Sequence, residues 1–151
     1  MGGVAADLDE LAEVLTGVQR LMRRRLRAGF AGPRLHGAQV ELLRLVREQP
    51  GVRISAAAAA LSLAGNTVST LVNQLVAADL LRREVAPDDR RAGLLYLTPA
   101  AVRRLDQWQE RRRALVHEQV ERLSDEDQTA LASAVPALRR LAQGLREEED
   151  T

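Results

Sequence analysis

No cysteine occurs in the 151 residues, which excludes disulfides, thiolate metal sites and thiol-based oxidation sensing. Lysine is missing as well, so all 22 basic residues are arginine. Aromatic side chains are nearly absent, with Phe30, Tyr96 and Trp108 making up the whole set. A core must therefore be assembled from Leu, Val and Ala, which suits helices. His36 and His117 are too few for a typical zinc site and lack ligand spacing, so neither a metal nor a cofactor is expected. No apolar run approaches the roughly 20 residues needed to span a bilayer, and residues 1–7 show no basic stretch leading into an apolar one. The expectation is a soluble, cytoplasmic chain with no membrane partner. Catalytic signatures are lacking too. Neither histidine accompanies a recognisable nucleophile motif and no glycine-rich phosphate loop follows a strand, so an enzyme is not expected.

By length this is one domain, near the size at which a second copy often completes the core. The net charge of +1 makes the chain no polycation, and the distribution of charge says more than its sum. Arginines cluster at residues 20–27, 82–91 and 103–113. A GC-rich coding sequence accounts for the preference for Arg over Lys, but the cluster positions remain informative. Arg offers a planar, bidentate fork for phosphate and guanine.

Helical periodicity fills most of the sequence. Leu8, Leu11, Leu15, Val18, Met22 and Leu26 recur at three and four, a helix with a seam expected to pack on partner helices. Its arginines crowd the C-terminal end, where they favour the helix dipole. Gly29-Phe30-Ala31-Gly32-Pro33 breaks the pattern. A second helix starts near Leu35-His36 and stops at Gln49-Pro50-Gly51. Val52-Arg53-Ile54 suits a short strand, and Ser55 reads as the N-cap of an alanine-rich helix over 56–61. Further on, Thr98 caps and Pro99 opens a long helix to about Arg122. Ser124 and Asp127 resemble a capping box for a last helix carrying Leu131, Val135, Leu138, Leu141 and Leu145. Pro136 should kink or interrupt it.

The chain is organised around residues 61–98. Val68, Leu71, Val72, Leu75 and Val76 mark a helix beginning near Gly65 or Asn66. Its other side carries Asn66, Thr67, Ser69, Thr70, Asn73 and Gln74, short polar groups able to meet base edges. Two apolar-rich runs, 80–85 and 94–97, flank Pro87-Asp88-Asp89 with a following Gly93, which reads as a hairpin.

Leu75, Asp79-Leu80-Leu81, Arg83, Pro87-Asp88-Asp89-Arg90-Arg91 and Leu97-Thr98 together resemble the winged helix-turn-helix of the MarR family, the multiple antibiotic resistance regulators. The spacing from Asp89 through Arg91 to Thr98 is the most specific part of the match. The resemblance implies a mostly α fold with a small β-hairpin wing in one chain over 1–151. Within it, a winged helix-turn-helix DNA-binding region covers 35–98, and helices from 7–30 and 99–147 form a dimerisation region with a second copy. It also implies double-stranded DNA as partner, residues 65–74 in the major groove and the hairpin tip in the adjacent minor groove.

Elementary electrostatics agrees with the second placement, since Arg90 and Arg91 at a narrow tip suit the minor groove's negative potential. Asp89 then orients a guanidinium, because a carboxylate facing phosphate is repelled. Base readout falls to Asn66, Thr67, Ser69, Thr70 and Asn73, with Asn suited to adenine. Ala64 stands where the family usually has a Ser cap, Thr70 where Arg is common, and Asp79 where Gly ends the helix. From Ile54 to Leu81 there is no basic residue, so phosphate contact rests on the wing, on Arg53 and on helix ends.

The family's effectors, small aromatic or anionic molecules, make Arg24, His36, Tyr96 and Trp108 candidates for a pocket. Packing for Trp108 and helix capping for His36 are the competing structural roles. The function expected is a transcriptional regulator, a repressor that binds a pseudopalindromic operator as a homodimer and is released by an organic effector. The alternative is a winged-helix dimer serving as a protein-interaction or ligand-binding module without specific DNA binding.

Overall fold

The computed structural model describes residues 2–27, 34–87 and 93–149. The elements run α1 (Gly2–Arg27), α2 (Gly37–Glu48), β1 (Val52–Arg53), α3 (Ile54–Ala60), α4 (Gly65–Ala77), β2 (Leu81–Val85), β3 (Gly93–Leu97), α5 (Pro99–Val120) and α6 (Asp125–Glu149). This is the expected order, a mostly helical chain with a small antiparallel sheet. It divides into two compact units, Met1–Glu110 and Arg111–Thr151.

In the first unit, Leu42, Leu43 and Val46 of α2, Ala57 and Ala58 of α3, Val68, Leu71, Val72 and Leu75 of α4, Leu95 of β3, and Ala101 and Leu105 of α5 share one buried cluster. Every buried member is Leu, Val or Ala, as the scarcity of aromatics requires. Small Ala57 and Ala58 let the neighbouring helix approach closely. Helices α3 and α4 are bent by 113° to each other, within the range of a helix-turn-helix.

The sheet has the order β1-β3-β2. Val52 pairs with Leu95 and Arg53 with Leu94, while Leu81 pairs with Leu97 and Val85 with Gly93. Gly51 leads into β1 at φ +82°, and a Cβ there would come within 2.9 Å of the Tyr96 hydroxyl. Both the conformation and the space demand glycine. Asp79 ends the helical stretch at φ 56°, the left-handed geometry that Gly usually supplies and Asp tolerates.

Two local expectations are corrected. Ser55 is not a cap: α3 begins at Ile54, with Arg53 in the extended cap position and no side-chain capping bond. Strand β1 runs directly into the helix, because the pairing of Arg53 with Leu94 holds the chain extended until the residue before Ile54. Pro136 does not interrupt α6, which continues from Asp125 to Glu149. The imide forfeits one backbone bond, and the turns on either side carry the helix past it. At the start of α6 the Ser124 hydroxyl accepts from the Asp127 N–H at 3.1 Å and donates to Asp127 Oδ2 at 2.8 Å. The Asp carboxylate, one methylene shorter than the preferred Glu, takes the hydroxyl proton.

Apolar seams appear on the terminal helices as expected. Leu8, Leu11, Leu15 and Val18 of α1 are exposed, as are Leu131, Val135, Leu141 and Leu145 of α6. No single helix among the described residues is long and apolar enough to cross a membrane.

Leu75 is fully buried where α4 meets the core. Leu75→Ala is expected to cost about 2–5 kcal/mol, measured as a lowered midpoint with unchanged slope in urea unfolding.

Candidate nucleic-acid interface

Burial sets which side of α4 is available. Val68, Val72 and Leu75 are fully buried and Leu71 nearly so, and at about 100° per residue the opposite line runs through Asn66, Thr70, Asn73 and Ala77. All four are exposed. Thr67 and Gln74 flank one side of this line and half-buried Ser69 the other. The five residues expected to read bases therefore lie on one polar surface, with Ser69 at its margin.

Backbone bonds already engage part of that surface. Ala64, the N-cap, brings no side-chain oxygen to the first turn. Asn66 Oδ1 accepts from the Thr67 N–H at 2.8 Å, and the Thr70 hydroxyl donates to the Asn66 carbonyl at 3.0 Å. Gln74 is held differently: Gln39 Nε2 donates to its Oε1 at 2.9 Å. Gln39 is itself buried, and its own Oε1 accepts the His36 N–H at 2.8 Å. One side-chain amide thus closes the first turn of α2 and ties α2 to the polar flank of α4. His36 takes the N-cap position that its place in the sequence suggested.

The exit of α4 is clipped to the next element. Thr98, buried, donates its hydroxyl to the Asp79 carbonyl at 2.6 Å and accepts from the Ala101 N–H at 3.1 Å. Its position as N-cap of α5 is as expected, and the bond to Asp79 adds a tie to the turn after α4.

With Val52, Leu81 and Leu95 buried on one face of the sheet, the other face carries Arg53, Leu94 and Glu84 in one cross-strand row and Tyr96 beside Arg82 in the next. The Arg82 guanidinium pairs with Glu84 and lies 5.0 Å from the Tyr96 ring centre. Arg83 packs against Gly93, where any Cβ would collide with its guanidinium. Asp89, Arg90 and Arg91, the expected wing-tip residues, lie outside the described residues. Arg53 is half-buried at the first strand.

The four pocket candidates come from four elements. Arg24 is exposed on α1, His36 is exposed before α2, Tyr96 is held against Arg82 and Gly51 on β3, and Trp108 is half-buried on α5. Arg104, on the same helix as Trp108, has its pKa lowered by desolvation, though an arginine stays charged at any ordinary pH.

Sequence reasoning did not find the tie between Gln39 and Gln74. The capping pattern at the start of α2 signals half of Gln39's role, but no local signal links positions 35 apart.

An exposed polar line on the second helix of a helix-turn-helix, followed by a two-stranded hairpin with a third strand at its base, defines the winged-helix class. Residues 35–92 match the MarR family. A protein of Thauera aromatica, named for transcriptional regulation of the hcr operon, is 34% identical over 73 residues, 48% of this chain and 42% of that one. The match thus spans less than half of that relative. A transcriptional regulator of Thermotoga maritima superposes with a TM-score of 0.68 at 25% identity, covering 88% of this chain and 91% of that one. FabT of Streptococcus pneumoniae, solved in complex with DNA, gives 0.67 at 20% identity, with coverage of 91% and 95%. Over residues 35–92 the winged helix-turn-helix of this chain is thus similar to the MarR family.

Replacing Gln39 by Met is expected to leave the His36 N–H and the Gln74 amide unpaired and to cost about 1 kcal/mol. Gln39→Glu, which can accept from both once the Gln74 amide turns over, should restore most of that loss in the same unfolding assay.

Proposed function

We propose that the protein is a transcriptional repressor that binds a pseudopalindromic operator as a homodimer. The observation that carries this reading is the exposed line Asn66, Thr70, Asn73 and Ala77 on α4, beside two strands between which the sequence carries Asp89-Arg90-Arg91. In this reading α4 lies in the major groove and Arg90 and Arg91 enter the flanking minor groove, with Asp89 orienting one of them. Arg53 contacts phosphate. FabT, which shares this fold and was solved in complex with DNA, supports DNA as the partner.

Dimerisation follows from the exposed seams of α1 and α6, whose Leu and Val side chains are otherwise left in water. Two recognition helices related by a two-fold axis require half-sites roughly 10 bp apart. Release by a small organic molecule is the final part of the proposal. A regulator of Streptomyces coelicolor solved with its natural ligand shares the fold at a TM-score of 0.57, and Arg24, His36, Tyr96 and Trp108 remain the candidates here.

One observation favours a second reading, a winged-helix dimer that engages a protein instead. The whole span from Ile54 to Leu81 carries no basic residue, so α4 adds little attraction for phosphate.

Binding of the full chain to DNA from its own upstream region, across a salt series, separates the two. Repressor function predicts symmetric protection of two half-sites and a steep fall of affinity with salt. An Arg90→Ala/Arg91→Ala double variant should bind at least tenfold more weakly, with a salt slope reduced by about four, since each of the two protomers loses two cations. Equal, weak, salt-insensitive binding by both proteins favours the protein-interaction module.

A further inference from the structure

We propose that Asn66 reads a keto base, the O4 of thymine or the O6 and N7 of guanine, by donating from its side-chain amide nitrogen. The assignment rests on the reading above, in which α4 occupies the major groove.

The first N–H groups of a helix have no partner within it, and Ala64 supplies no capping oxygen. Asn66 fills that role in part, accepting the Thr67 N–H on Oδ1. This settles the orientation of the amide, because only its oxygen can accept from an N–H. Adenine is read by an Asn that offers oxygen to N6–H and nitrogen to N7 along one edge. With Oδ1 turned back to the helix terminus, the planar amide of Asn66 cannot present both atoms outward together. What faces the groove is Nδ2 with two donor hydrogens, on an exposed side chain and with no acceptor among the described residues. Opposite the exocyclic amine of cytosine, donor meets donor, and adenine offers the single acceptor N7 with its N6 amine opposing the second hydrogen. Opposite thymine or guanine it meets a keto oxygen.

The next residue on the line has the complementary character. Thr70 spends its hydroxyl proton on the Asn66 carbonyl, leaving an acceptor lone pair and a methyl group, the latter suited to the thymine methyl. Asn73 then remains as the residue on this line with a complete amide edge, so the expected pairing of Asn with adenine belongs to Asn73 and not to Asn66.

Asn66→Asp tests this directly. The carboxylate still accepts from the Thr67 N–H, and a negative charge at a helix N-terminus is favourable, so the variant should fold, as circular dichroism would verify. Its outward atom now accepts where the amide donated. Sites are selected from a library of randomised half-sites with the full-length wild type and with N66D. The expected result is a keto base at one position for the wild type, replaced by cytosine or adenine for N66D, each preferred about tenfold, with other positions unchanged. Adenine at that position for the wild type, or the same base for both proteins, overturns the assignment to Asn66 while leaving the groove reading intact. A library from which the wild type enriches nothing overturns both.

Discussion

The rotation of α4 about its own axis is the constraint on which the candidate site depends. Val68, Val72 and Leu75 have no exposed surface. Turning the helix by one residue would place Ser69 or Asn73 in the aliphatic cluster without partners, and burying an unpaired amide or hydroxyl costs roughly 1–3 kcal/mol each. Hydrophobic burial therefore decides which polar side chains face outward, although it contributes nothing to recognition itself. Around this fixed axis the polar ties make finer adjustments. Gln39 holds the Gln74 flank, and Thr98 holds the carbonyl of Asp79 at the exit.

Much of this was legible in the residues. Spacings of three and four located the helices, Thr98-Pro99 marked the start of α5, and Asp79 stood where a left-handed residue was needed. Val52 and Arg53 formed the short strand their composition suggested. Those features are local, and local chemistry dictates them. The failures came where a neighbouring segment overrode the local signal. Ser55 lost its capping role because strand pairing fixed the conformation of Arg53. Pro136 left its helix whole because one missing bond is small against a run from Asp125 to Glu149. The bond between Gln39 and Gln74 depends on two helices meeting, which no periodicity encodes. The state of the Asn66 amide was hidden for another reason. Asn is bifunctional on paper, and only the placement of the Thr67 N–H shows which half remains.

The arginines also divide by role. Arg82 is tied to Glu84 and the Tyr96 ring, and Arg83 covers Gly93, so the described part of the hairpin uses its cations partly to hold its own strands together. An exposed ion pair of this kind adds little stability alone. The contact that crosses between strands is the one from Arg82 to the Tyr96 ring. The aromatic scarcity has a similar double effect, since Tyr96 serves both the cation and the close approach of Gly51.

The cation-free span of α3 and α4 bears on how a regulator finds its target. Random genomic DNA competes for any protein through phosphate attraction, which is blind to sequence and grows with each neutralised charge. In the proposed function, a helix pair without arginine or lysine, from Ile54 to the start of β2 at Leu81, contributes almost nothing to that background. Its contacts count only where the bases match. On the proposed reading, such a protein would be retained briefly on the wrong sequence and would owe its occupancy of an operator to discrimination more than to adhesion, with the arginines elsewhere supplying the initial hold.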